Sequence, residues 1–121
     1  MKEIFKNKSI ENIKIAEIAF DNECFNASAN RAYYAVFHAA VAALFAIGLN
    51  PRIDHVAVQT MFSDNFFNRR KIISSKYKGD LKELQEVRGK ADYHEGVSKN
   101  IAKKQLLKAK ELIEIILMEL K

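Results

Sequence analysis

Apolar side chains recur every three or four residues toward the C-terminal end of the chain, a spacing typical of helices and not of strands. The series comprises Ala102, Leu106, Ala109, Ile113, Ile116 and Leu120. Such a heptad-like stripe predicts a long final helix that packs against another long helix.

The same pattern, read together with capping residues, predicts five helical segments. They are about Ser9–Asn22, about Ala27–Ile47, a third helix from an Asp54 N-cap to about Phe67, a fourth beginning near Asp80, and a last one opened by Ser98 or Asn100. Asn26 or Ser28 can cap the second helix, and Gly48 can take the left-handed conformation after its end. The stretch Asn68–Lys78 is predicted to be a connection or a weak helical turn. The fold class is therefore an all-α helical bundle.

Composition supports one domain covering residues 1–121. Hydrophobic residues make up 49% and charged residues 29% of the 121-residue chain, which excludes a disordered protein. The single cysteine, Cys24, cannot close an intramolecular disulfide and is expected in the core. The absence of a signal-like N-terminal stretch or a run of about 20 apolar residues predicts a cytoplasmic protein without a membrane segment.

The second helix is unusually rich in alanine, and small side chains let helix axes approach closely. The close neighbour is either another helix of the same chain or the same helix of a second copy. Apolar residues in excess elsewhere, such as Phe66, Phe67, Leu107 and Leu117, suggest a homodimer.

Positive charge is concentrated in residues 69–90, which carry the whole formal net charge of +5. Arg69, Arg70 and Lys71 open this segment. A localised basic patch on a neutral body is expected for a phosphate-bearing partner such as RNA. A merely solubilising surface is the alternative.

Two helices carry polar side chains on faces that should be apolar. At roughly 100° per residue, Arg31, Tyr34 and His38 form one stripe on the second helix. They make either an internal hydrogen-bond network or the wall of a binding cleft.

On the fourth helix, Arg88 points toward the apolar side, where its guanidinium needs a carboxylate, a carbonyl or a ligand phosphate. Asp92, four residues on, is a ready partner. His94 falls about 120° away from Arg88 on an ideal helix. Both groups could reach one ligand if the helix ends near Tyr93 or if a second copy contributes. His55, at a helix start, receives no role, and no spacing suggests a metal or cofactor site.

The segment Ser28–Ala40 (SANRAYYAVFHAA) and the later stretch Leu84–Tyr93 (LQEVRGKADY) resemble the two signatures of HEPN domains. The match is nearest to the small stand-alone prokaryotic branch that pairs with minimal nucleotidyltransferases in toxin–antitoxin systems. This resemblance implies a four- to five-helix up-and-down bundle, usually dimeric.

The resemblance also implies a metal-independent endoribonuclease that uses an arginine and a histidine separated by four to six residues, here Arg88 and His94. Two positions depart from the pattern: Gly89 follows the arginine, and Glu95-Gly96 follow the histidine. Tyr93 precedes the histidine. The partner implied is a nucleotidyltransferase-like antitoxin.

These residue types suit RNA cleavage. His94 can transfer a proton near neutral pH, and Arg88 can hold the scissile phosphate. Tyr34 and His38 can assist, with single-stranded RNA as the expected target. Two alternatives stay open: a non-catalytic nucleotide- or RNA-binding subunit that depends on Arg88 and Arg31, and a purely structural helical dimer.

Overall fold

The computed structural model describes residues 1–70 and 72–120. It contains α1 (Lys2–Asp21), α2 (Phe25–Ala46), α3 (His55–Phe62), α4 (Asp80–Tyr93) and α5 (Lys99–Met118). A π-helix over Ser63–Arg69 continues α3, and a 3₁₀ turn covers Ser75–Tyr77. No strand occurs within the described ranges, so the predicted all-α fold is confirmed.

Helix α2 is the centre of the bundle, in contact with each of the other four α-helices. Seven of its alanines are buried to 1% exposure or less: Ala29, Ala32, Ala35, Ala39, Ala40, Ala42 and Ala43. Their small side chains leave room for neighbours on every side of the helix. The alanine-rich sequence therefore serves packing within one chain.

Two buried serines fix the register between α1 and α2. The Ser9 hydroxyl donates to the carbonyl of Ala35 at 2.6 Å, and the Ser28 hydroxyl donates to that of Ala16 at 2.9 Å. The earlier α1 residue of these contacts, Ser9, meets the later α2 residue, Ala35, and the later α1 residue, Ala16, meets the earlier α2 residue, Ser28. The two helices are therefore antiparallel. Each buried hydroxyl is thereby satisfied, which avoids a desolvation cost of about 1–3 kcal/mol.

Three expectations about α1 and the start of α2 are corrected. Helix α1 begins at Lys2, seven residues before the predicted start, and its early residue Phe5 packs into the core. Cys24 is exposed, not buried, because it serves as the N-cap residue of α2 beyond the packed turns. Neither Asn26 nor Ser28 caps this helix, since both lie inside it.

Other helix ends follow the capping signals. The Asp54 carboxylate accepts the N–H of Ala57 at 2.8 Å, and the Ser98 hydroxyl accepts that of Ile101 at 3.2 Å. Gly48 follows α2 with a φ of +86°.

The connection from α4 to α5 is tied to the start of α2. Gly96 has a φ of +93°, and an added Cβ there would lie 2.9 Å from the Asn26 side chain. The Asn26 oxygen accepts the N–H of Val97 at 2.9 Å. This contact fixes the direction in which the chain leaves α4.

Ion pairs join α4 to α5. Lys108 pairs with Glu83 and with Asp80, one turn apart on α4. Lys104 also pairs with Glu83, so later positions on α5 meet earlier positions on α4 and these two helices are antiparallel. Together with the antiparallel α1–α2 pair, this gives the long helices an up-and-down arrangement, with α3 packed on α2. Within the described part of the chain, no helix is both long enough and apolar enough to cross a membrane.

Candidate functional site

Arg88 lies between α4 and α2 with its guanidinium against two tyrosine rings. The guanidinium carbon is 5.4 Å from the ring centre of Tyr33 and 5.7 Å from that of Tyr34. The side chain is 13% exposed, as its predicted orientation toward the apolar side of α4 requires. A cation–π contact contributes about 0.5–2 kcal/mol, whereas removing a charge from water costs several. The rings alone therefore do not compensate for burying this cation.

The carboxylate nearest to Arg88 holds it only loosely. Asp92 Oδ2 is 3.5 Å from the guanidinium, at the limit of a hydrogen bond, and also accepts from the Asn30 amide at 2.8 Å. The buried Nε of Arg88 has no hydrogen-bond partner in the described ranges. The predicted pair with Asp92 exists, yet it satisfies the guanidinium only weakly and leaves the buried Nε without a partner in the described ranges.

A histidine from α3 completes this cluster. The Tyr33 hydroxyl and His55 Nδ1 are 2.5 Å apart, and the His55 ring also lies beside the rings of Tyr34 and Phe37. Burial raises the pKa of Tyr33 to about 12, so the phenol keeps its proton. Burial, and then the charge of Arg88, lowers the pKa of His55, which favours the neutral form of the imidazole.

A second polar network extends from α2 to α1. Arg31 donates to Asn12 Oδ1 at 3.0 Å and to Asn30 Oδ1 at 2.8 Å. The Asn12 amide nitrogen faces His38 Nδ1 at 3.2 Å. Burial, followed by the charges of Lys8 and Arg31, lowers the pKa of His38 to about 4.

The predicted stripe of Arg31, Tyr34 and His38 thus divides between two environments. Arg31 and His38 are partners in the network with α1, while the Tyr34 ring contacts both guanidinium groups, that of Arg31 at 5.1 Å and that of Arg88 at 5.7 Å. Asn30 joins the two clusters, since it binds both Arg31 and Asp92. The result is one continuous polar layer from α1 to α4.

His94 and Tyr93 lie outside this layer in a single chain. Tyr93 is 75% exposed, and His94 is the exposed residue that follows α4. His94 lines a surface groove with Glu86, Gly89, Lys90 and Glu95, and Arg88 is not part of that lining. One protomer therefore does not bring Arg88 and His94 into a shared groove.

The basic patch lies at a distance along the chain from both. Arg69 ends the π-helix and Arg70 follows it, and both side chains are exposed. Lys71, the third predicted member, lies outside the described residues. A pocket next to this segment is lined by Lys78 and Lys82 together with residues of α3 and the π-helix.

Sequence reasoning missed Tyr33 and His55. Tyr33 falls on the apolar side of α2, and its hydroxyl meets a ring 22 positions away on another helix. The available signal was the position of His55 at the first turn of a helix capped by Asp54. Its contact with a buried tyrosine forms only when α3 packs on α2.

Comparison with known proteins agrees with this architecture. A model of the HEPN domain matches residues 3–120. A relative named "Putative toxin MJ0605", from Methanocaldococcus jannaschii, is 39% identical over 83 residues, which are 69% of this chain. The matched region spans 60% of that relative's length. The long antiparallel helices and a family match over nearly the whole chain lead to one conclusion: this chain belongs to the HEPN family.

Proposed function

We propose that this chain is the toxin component of a toxin–antitoxin pair and acts as a metal-independent endoribonuclease on single-stranded RNA. Membership of the HEPN family and a relative named as a toxin support this assignment. The antitoxin partner expected is a nucleotidyltransferase-like protein.

The observation that carries the proposal is the state of Arg88. Its guanidinium is largely buried, and its nearest carboxylate is 3.5 Å away and shared with Asn30. A phosphate would supply the close anion that this cation lacks, and bidentate arginine–phosphate contacts are among the stronger polar interactions. Arg88 is thus suited to hold the scissile phosphate and to stabilise its added negative charge during cleavage.

Cleavage then needs a group for proton transfer. The RNA 2′-hydroxyl attacks phosphorus, the bond to the 5′-oxygen breaks, and the proton lost by the 2′-oxygen is balanced by one gained at the 5′-oxygen. His94 is exposed and can take either role. Because Arg88 and His94 do not line one groove in a single chain, we propose that a homodimer brings His94 of one copy to Arg88 of the other.

The test is RNA cleavage in EDTA by the wild-type protein and by the variants Arg88→Ala and His94→Ala. Losing a phosphate-binding cation or a proton-transfer group should lower the rate at least 100-fold. Lys103→Ala, a change of an exposed lysine on α5, serves as the control and should cleave normally. Circular dichroism checks that each variant is folded.

Mixing the two inactive variants tests the proposed arrangement in two copies. In a mixed dimer, one site would combine the intact Arg88 of one chain with the intact His94 of the other, so activity should return. If each site used residues of one chain alone, the mixture would stay inactive. Full activity of His94→Ala would remove this histidine from the mechanism.

A second candidate is a non-catalytic subunit that binds nucleotide or RNA for a partner nucleotidyltransferase. The separation of Arg88 from His94 in one chain favours it, as does the polar layer that links Arg88 to Arg31 through Asn30. Binding that depends on both arginines, with no cleavage product in any assay, would establish this role in place of the nuclease.

A further inference from the structure

The two tyrosines of α2 bring Arg88 and His55 to the same place. The His55 ring centre is 5.4 Å from that of Tyr33 and 6.1 Å from that of Tyr34. Arg88 contacts the same two rings, and its charge lowers the pKa of His55. An imidazole and a guanidinium therefore share one polar cluster contributed by three helices.

The Tyr33 contact engages one nitrogen of His55, Nδ1, at 2.5 Å. Tyr33 is fully buried and burial favours its protonated form, and in the arrangement that we propose its hydroxyl donates to Nδ1. Nδ1 of a neutral imidazole that accepts a hydrogen bond has no proton of its own, which places the ring proton on Nε2. His55 thus presents an N–H donor at Nε2, while its Nδ1 is occupied by the Tyr33 hydroxyl.

The surroundings leave this donor available. His55 is only partly buried, and its neighbours in sequence, Ile53 and Val56, are exposed. The nearby Asp54 carboxylate is hydrogen-bonded to the Ala57 N–H and to Arg52, and its charge only partly offsets the lowering of the His55 pKa by burial and by Arg88. Across the described part of the chain, the Tyr34 hydroxyl makes no hydrogen bond either.

We propose that His55 Nε2–H, the Arg88 guanidinium and the Tyr34 hydroxyl form a subsite for one phosphate group of an RNA strand. All three present donors, and a phosphate oxygen accepts several at once. The inference rests on the proposed RNA-directed function and adds a binding residue, His55, that the paired signature of Arg88 and His94 does not contain. His55 is a phosphate contact here, not a proton carrier.

The wild-type protein provides the first test. Long-range proton–nitrogen NMR spectra of the histidine rings should show His55 neutral and protonated at Nε2 near pH 7. Its ring signals should then shift on saturation with a short RNA whose 2′-hydroxyls are methylated, which blocks cleavage. A proton on Nδ1, or unchanged His55 signals in the saturated complex, would overturn the proposal.

Variants supply the second test, with affinity for the same RNA measured by fluorescence anisotropy. His55→Phe keeps a ring but removes the donor, and should weaken binding about tenfold, as expected for losing a hydrogen bond to a charged group. His55→Gln places an amide N–H near the former Nε2 and should retain most of the affinity. Lys103→Ala, a change of an exposed lysine on α5, is the control and should bind this uncleavable RNA nearly as the wild type does.

The outcomes separate this inference from the nuclease proposal. If the wild type cleaves RNA while a folded His55→Phe protein binds it with unchanged affinity, the subsite is wrong and the nuclease stands. If binding depends on His55 but no RNA is ever cleaved, the subsite stands and the nuclease is wrong. Comparing the RNA with and without a 5′-phosphate, and with adenosine 5′-monophosphate, distinguishes a phosphodiester from a terminal phosphate as the bound group.

Discussion

The side-chain amide of Asn12 favours the neutral form of the neighbouring imidazole, that of His38. Because its oxygen accepts from Arg31, its nitrogen must face His38 and donate to Nδ1. A cationic His38 would present an N–H to that amide and add a charge beside Arg31. The network is therefore built for a neutral imidazole.

We expect NMR titration to place the pKa of His38 near 4. Substituting Arg31→Met, which keeps the aliphatic chain and removes the charge, should raise that pKa, although burial will hold it below the usual 6.5. Arg52→Met is the matched control, because Arg52 is exposed in the connection between α2 and α3 and does not contribute to the pKa of His38, which the substitution should leave unchanged. An unshifted His38 in Arg31→Met would contradict the network described.

The same ring should make stability depend on pH. The unfolded chain binds a proton at His38 below about pH 6.5, whereas the folded chain does so only near pH 4. The free energy of unfolding should therefore fall as the pH is lowered between these values. Urea unfolding of His38→Gln should lack this part of the dependence.

Individual side chains were predictable from sequence only where one helix determines their position. The inward direction of Arg88 follows from helical rotation past Leu81 and Leu84, both buried. The contact of Tyr33 with His55 depends on how α3 packs on α2, which no local pattern encodes. The angular separation of His94 from Arg88 around α4 also followed from helical rotation. That a second copy of the chain brings the two residues together stays a prediction.

At the scale of helices, the reliable boundaries are those with a chemical signal. Asp54 and Ser98 cap α3 and α5 as their sequence positions indicated, and α4 begins at Asp80. The start of α1 carries no such signal, since its first residues are mostly polar, and only the burial of Phe5 against α2 explains it. The π-helix after α3 was predicted as a continuation of that helix, because propensity does not distinguish the two.

Removal of either cap should cost similar stability but affect the site differently. Asp54→Ala and Ser98→Ala should each lower the free energy of unfolding by about 1 kcal/mol. Only Asp54→Ala should also change the NMR signals of His55, because the capped turn of α3 positions that ring. Equal effects of the two variants on His55 would show that α3 is held by its packing alone.

At the scale of the molecule, the start of the positive segment lies outside the core. Arg69 and Arg70 are exposed at the end of the π-helix, while α2 provides much of the buried apolar core. The concentration of positive charge could be counted directly from the sequence. Its position relative to the Arg88 cluster could not be predicted, because the path of the chain from α3 to α4 depends on the packing of Phe66, Phe67 and Ile73.

The double variant Arg69→Gln/Arg70→Gln should weaken RNA binding and reduce its dependence on salt. For single strands, each phosphate contact contributes about 0.7 to the slope of log affinity against log salt concentration. Neutralising Lys99 and Lys103, two exposed lysines on α5, removes the same charge elsewhere and should alter the slope less. Equal slopes for the two double variants would indicate that net charge, not this segment, attracts the RNA.

The central position of α2 has a practical consequence for dissecting this protein. The central helix α2 contains Arg31, Tyr33 and Tyr34 and also contacts the other four α-helices. Substitutions in it are therefore expected to affect folding and ligand binding together. The peripheral elements α3 and α4 hold His55 and Arg88, whose replacement disturbs less of the interior. Evolution of a new ligand preference on this scaffold would be easiest from those outer helices, with the inner one kept constant.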